Sequence, residues 1–172
     1  MTDTEALSGL CPRPPRRGES EFVQDVDARL GSYLKQGEQA LMAAKSEALR
    51  PFDLTVAQFA VLMALYYVPG QSSAQLARAA AVTPQTMATV LGKLEAKKLL
   101  VRTVSRVHSK VLVTELTPSG EALLLRADEQ ARVIEQRLAD AFTEVEHAQV
   151  RELLTRATMV LRGEENRAEQ PQ

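Results

Sequence analysis

Tryptophan is absent and aromatic residues make up only 4% of the chain, although 45% of it is hydrophobic. Ala and Leu must therefore do most of the packing, which favours closely approached helices over a β-sandwich. A single cysteine, Cys11, excludes an internal disulfide and fits a reducing compartment. The only histidines are His108 and His147, and no pair has ligand spacing, so neither a metal nor any other cofactor is expected. The longest apolar run, "FAVLMALYYV", is about half the roughly twenty residues a membrane span requires. The start "MTDTEALSGL" lacks the basic residues and apolar stretch of a signal peptide, so we expect a soluble, cytoplasmic chain. Catalytic signatures are missing too. There is no G-x-S-x-G, no phosphate loop and no H-E-x-x-H, so an enzyme is not expected.

Net charge of one sign is also lacking: Lys+Arg 21 against Asp+Glu 22 leaves −1 across 172 residues. The distribution is less even than the total. Between Lys93 and Lys110 stand Lys93, Lys97, Lys98, Arg102, Arg106 and Lys110 with Glu95 as the lone carboxylate. A basic stretch inside a neutral chain points to a localised anionic contact.

What is present is helical periodicity with punctuation. Residues 1–19 include "CPRPPRRGE", where Pro, Gly and charge oppose regular structure, and are read as a flexible tail. From Ser20 the positions Phe22, Val26, Leu30, Tyr33, Leu41, Ala44 and Ala48 recur at helical spacing, ending near Arg50 before Pro51. Thr55-x-x-Gln58, Ser72-x-x-Gln75 and Thr143-x-x-Glu146 read as capping boxes. Thr83-Pro84 and Thr117-Pro118 open two further helices with Pro at the first helical position. Residues 72–80 form a brief helix, and Thr83 starts the next after a tight turn. Then "VRTVSRVHSKVLVTEL", rich in β-branched residues, reads as strands over 101–104 and 111–116 around the cationic loop 105–110. Helix, turn, helix and basic hairpin make a winged helix. Beyond Pro118, Leu124, Ala127, Ala131, Ile134, Leu138 and Ala141 form one long seam, and Val150, Leu153, Leu154, Ala157, Val160 and Leu161 another. The expected class is mainly α, a winged helix-turn-helix with a two-stranded wing and long helical dimerisation arms. The domain spans 20–162, with arms over 20–50 and 118–162, a DNA-binding lobe over 54–117, and a flexible tail over 163–172.

The stretch "LTVAQFAVLMAL…SSAQLARAAAVTPQTMATVLGKLEAKKLLVR…VLVTELTPSGEALL" resembles the MarR family of dimeric winged-helix regulators. "QLA" at Gln75–Ala77, "TPQT" at Thr83–Thr86 and "LTPSG" at Leu116–Gly120 carry the likeness together with Leu54-Thr55-x-x-Gln58. The resemblance implies a homodimer on double-stranded, pseudo-palindromic DNA, a repressor released by a small phenolic or lipophilic effector. The chain departs from the family pattern in three features. His108 and Lys110 stand where relatives carry an Asp-x-Arg element in the wing, Lys98 where they place a helix-ending Gly, and Ala81 replaces a common turn Gly.

The helix over 82–100 has two unlike faces. Met87, Val90, Leu91 and Leu94 suit a core; Gln85, Thr86, Thr89 and Lys93 form a polar face without a carboxylate. Gln can pair bidentately with adenine, Thr offers a hydroxyl and a methyl, and Lys reaches guanine or phosphate. The candidate DNA contacts are therefore Thr83, Gln85, Thr86, Thr89 and Lys93, with Arg106, His108 and Lys110 in the wing. Ser72 and Ser73 open the preceding helix, where amides suit a phosphate, although caps would sit there in any case. Arg102 could contact phosphate or pair with an acidic neighbour. Tyr33, Phe59, Met63 and Tyr66 lie on helices flanking the family's ligand crevice, and plain core packing would also call for them. Cys11 has no fixed electropositive setting in a tail and is not read as a redox sensor. A second reading stays open: a helical homodimer that binds protein partners and has lost specific DNA binding.

Overall fold

A computed structural model describes Gly18, Phe22, Val26 and residues 29–80, 82–104 and 112–163. The chain divides into two compact units, Met1–Leu41 and Met42–Gln172, and every element of the winged helix belongs to the second. Helix α1 covers Leu30–Leu49, followed by a 3-10 turn at Arg50–Phe52. Helix α2 is Val56–Tyr67, β1 Gln71–Ser72, α3 Ser73–Ala79 and α4 Pro84–Ala96. The hairpin strands β2, Leu100–Val104, and β3, Leu112–Leu116, lead into α5, Pro118–Asp140, and α6, Glu144–Arg162.

Local chemistry sets these boundaries. At Thr55, Ser72 and Thr143 both arms of a capping box are in place, so each cap amide and the third helical amide find side-chain oxygens. Thr83 and Thr117 each accept from the amide three residues on, with Pro at the first helical position. At the far end of α2, the Gln71 carboxamide donates to the Val68 carbonyl at 3.0 Å and, at 3.1 Å, to that of Ala64, which also accepts the Val68 amide.

Three antiparallel strands form a small sheet in the order β1-β3-β2. Only β2 and β3 were expected. The extra strand is two residues long, too short to show alternation, and its Ser72 is extended because it also caps α3. The first helix differs as well. Phe22 and Val26 are helical as expected, but Arg29 has no regular structure, so the expected single helix is interrupted there and Leu30–Leu49 forms an element of its own. Phe22, Leu30 and Tyr33 on the expected stripe are exposed.

The core of the second unit joins Leu49, Leu54, Leu62 and Leu65 to Leu76, Met87, Leu91, Leu94, Leu100 and Leu124. On α4 it takes the apolar side that periodicity marks: Met87, Leu91 and Leu94 are buried and Val90 half-buried. The α5 seam is buried at Leu124, Ala127 and Ala131, half-buried at Ile134 and exposed at Leu138 and Ala141. No residue of α6 is buried. All of the two expected tails except Gly18 and Gly163 lies outside the described residues.

Candidate nucleic-acid interface

Helix α4 presents to solvent the polar face that the sequence marks out. Gln85, Thr89 and Lys93 recur every fourth residue and so run along one ridge, with Thr86 beside them; all four are exposed. Their hydrogen-bonding capacity is not equal. The Thr83 and Thr86 hydroxyls bond each other at 2.9 Å, and the Thr83 oxygen also accepts from the Thr86 amide at 3.1 Å. The Thr89 hydroxyl donates to the Gln85 carbonyl at 3.1 Å, which commits its proton to the helix backbone and leaves its oxygen as an acceptor. The Gln85 carboxamide has no partner among the described residues. It keeps a donor and an acceptor side by side.

In front of α4 stands α3. The Ser72 hydroxyl is committed to its cap, donating to Gln75 Oε1 at 2.8 Å and accepting from the Gln75 amide at 3.3 Å. Ser73 is half-buried beside it.

Behind α4 the chain turns sharply into the wing. Lys98 has φ 57°, the left-handed conformation for which glycine is the usual choice. The Leu99 amide reaches back to the Leu94 carbonyl at 3.0 Å and that of Lys98 to Glu95 at 2.8 Å, closing the helix end. Asp53 is left-handed too, with φ 52°, and its carboxylate pairs with Lys97 at 2.8 Å. Arg102, on β2, is engaged by Glu95, the second of the two partners its position allowed. The Glu95 Oε2 accepts from Arg102 Nε at 3.0 Å and from a terminal guanidinium nitrogen as well. This hydrogen bond holds the Glu95 carboxyl below the usual carboxylate range, against the opposing effect of desolvation, and raises the Arg102 pKa further. The sequence signal for the pair was the lone carboxylate in a basic stretch.

The base of the wing is fastened to α5 at close range. Thr117 donates its amide to the Leu99 carbonyl at 3.1 Å, and the Thr117 and Ser119 hydroxyls reach the Lys98 carbonyl at 2.7 and 3.1 Å. A Cβ on Gly120 would sit 1.9 Å from the Leu99 carbonyl oxygen, so only glycine fits.

The wing tip, residues 105–111, lies outside the described residues, and with it Arg106, His108 and Lys110; so do Ala81 and Cys11. Of the residues read as flanking a ligand crevice, Phe59 and Met63 are half-buried against the core and Tyr66 is exposed, edge-to-face with Tyr67 at 5.6 Å. Tyr33 belongs to the other unit. Among the described residues no three His, Cys, Asp or Glu side chains converge as a metal site requires, and no single helix is long and apolar enough to cross a membrane.

Two helices at a tight turn, the second with an open polar face, followed by a hairpin, define a winged helix-turn-helix protein. The MarR family profile matches residues 52–110. The HTH-type transcriptional repressor Rv2887 of Mycobacterium tuberculosis is 38% identical over 128 residues, 74% of this chain and 92% of that protein. The chain belongs to the MarR family of transcriptional regulators. Its fold matches the transcriptional repressor CouR bound to a 23-mer DNA duplex, with a TM-score of 0.72 and 25% identity over 83% of this chain and 99% of that one. It also matches Rv2887 in complex with salicylic acid, with a TM-score of 0.60 and 37% identity over 76% and 97%.

Proposed function

We propose that the chain is a homodimeric repressor that binds a pseudo-palindromic DNA duplex sequence-specifically and is released by a small aromatic effector. The observation that carries this is the exposed ridge of Gln85, Thr89 and Lys93 with Thr86 on α4, free of carboxylates. A solvated face normally mixes charges of both signs; this one offers hydrogen-bonding groups, a methyl and a cation, the set that reads major-groove edges. The relatives support it, since one is solved on DNA and another is a repressor solved with salicylic acid. Within the ridge, Gln85 is the bidentate reader of adenine, while Thr89 presents its methyl and an acceptor. Thr83 serves chiefly as the cap that aims the helix. Lys93, with Arg106 and Lys110 of the wing, supplies phosphate contacts, and His108 adds charge there when protonated. Ser73 and the amides around it meet the adjoining phosphates.

The test is a titration against duplex from the chain's own upstream region, over a salt series and with excess random competitor. Binding should survive the competitor, weaken steeply with salt and be relieved by salicylate. Equal affinity for both duplexes would overturn the reading in favour of the protein-interaction dimer.

A further inference from the structure

Of the cations between Lys93 and Lys110, four lie among the described residues, and the fold neutralises two of them. Lys97 is paired with Asp53 and Arg102 with Glu95, whereas Lys93 and Lys98 have no ion pair among the described residues. The two pairs differ in kind. Asp53 is nearly fully exposed at its carboxylate and holds Lys97 by one contact to that group and one to its backbone carbonyl, a charge pair that solvent and salt easily screen. Glu95 instead takes two guanidinium donors on a single oxygen, and its side chain and that of Arg102 are 39% and 31% exposed. The partners also come from different elements, the last turn of α4 and the second ladder position inward from the start of β2, opposite buried Thr114. Glu95 lies two residues beyond Lys93 and so roughly 200° round α4 from it, on the flank that meets β2 and off the ridge proposed to enter the groove.

We propose that Glu95 is a positioning residue that withholds Arg102 from the phosphate backbone, making Arg102 a strut between α4 and the wing root and setting a ceiling on sequence-independent DNA binding. Guanidinium is the side chain best matched to phosphate, with planar paired donors and a permanent charge. Held by the Glu95 carboxylate, it brings no net charge to the duplex and releases no counterion on binding. Charge contacts then come from Lys93, Lys98 and the wing tip. The carboxylate is ionised near neutral pH, and the Arg102 hydrogen bond lowers its pKa further, so the charge that holds the strut persists into mild acid.

This inference rests on the DNA-binding reading, and its test separates the two. Wild type, Glu95→Gln, Arg102→Gln and the double variant are titrated with a mixed-sequence duplex over a salt series. Glu95→Gln should bind more tightly, with a salt slope steeper by about one, equivalent to roughly fourfold more affinity lost between about 50 and about 200 mM salt. Arg102→Gln should keep the wild-type slope, and the double variant should return to it. A purely structural role for Glu95 would weaken binding without steepening the slope, and that result overturns the proposal. So does a slope about one lower for Arg102→Gln, which would make Arg102 a phosphate ligand. In the free protein, the Glu95 carboxyl followed by NMR should titrate below the usual range and move up to it in Arg102→Gln. Normal titration in wild type removes the strut whatever DNA does. A wild type that binds neither duplex removes the DNA reading and this proposal with it, even where the NMR result stands.

Discussion

Gln85 is the side chain on α4 whose truncation should be felt most sharply, because its amide has no partner among the described residues while the neighbouring hydroxyls are partly used within the helix. Gln85→Ala, Thr86→Ala and Thr89→Ala should each lose about 1–3 kcal/mol on cognate duplex and little on random duplex, with Gln85 at the upper end. Lys110→Ala should weaken both duplexes alike and lower the salt slope by about one. Equal losses on both duplexes for the α4 changes would remove that helix from the groove. Gly120→Ala tests the other tight spot: overpacking against backbone should cost about 3 kcal/mol or more in a denaturant melt. At this scale the polar face of α4 and the left-handed Lys98 were legible, the first from helical spacing and the second from its place after the last helical turn. The need for glycine at 120 was not. It arises from a carbonyl 21 positions earlier in the chain, and no local pattern carries that.

Among the elements, helix starts were the most legible features because capping is settled within four residues. The Thr143 box also makes a testable acid dependence. The Glu146 carboxyl lies below its ordinary 4.5, chiefly through the Thr143 amide and then its hydroxyl. A depressed folded pKa contributes stability above the unfolded value, and that contribution is lost as pH falls through the folded one. Wild type should therefore melt above Glu146→Gln near neutral pH, with the gap closing as pH drops below 4.5. A gap that persists in acid would mean that the carboxylate's charge adds nothing to the α6 start. The two-residue β1 and the break at Arg29 escaped the sequence for opposite reasons. One is fixed by pairing with a distant strand; the other interrupts an apolar stripe that runs on past it.

The whole molecule is where exposed apolar surface has its meaning. Leu153, Leu154, Val160 and Leu161 form an exposed stripe on α6, and Leu138 of α5 is exposed too; no described residue buries them. A second copy should cover them, giving a dimer at micromolar concentration by sedimentation and a footprint over two half-sites roughly 34 Å apart. A monomer, or protection of a single half-site, would count against this. Replacing Leu153 and Leu161 with Glu should produce that monomer. Periodicity showed both seams in the sequence, but not which stretch of α5 stays inside its own chain. That depends on where the lobe ends, near Ile134. Gly120 returns here with a mechanical sense. With no side chain between α5 and the Leu99 carbonyl, and with Thr117 and Ser119 gripping the same turn, the joint has no slack. α5 is thus clamped at its first turn to the end of α4, and a tilt of α5 is expected to shift the root of the wing with it.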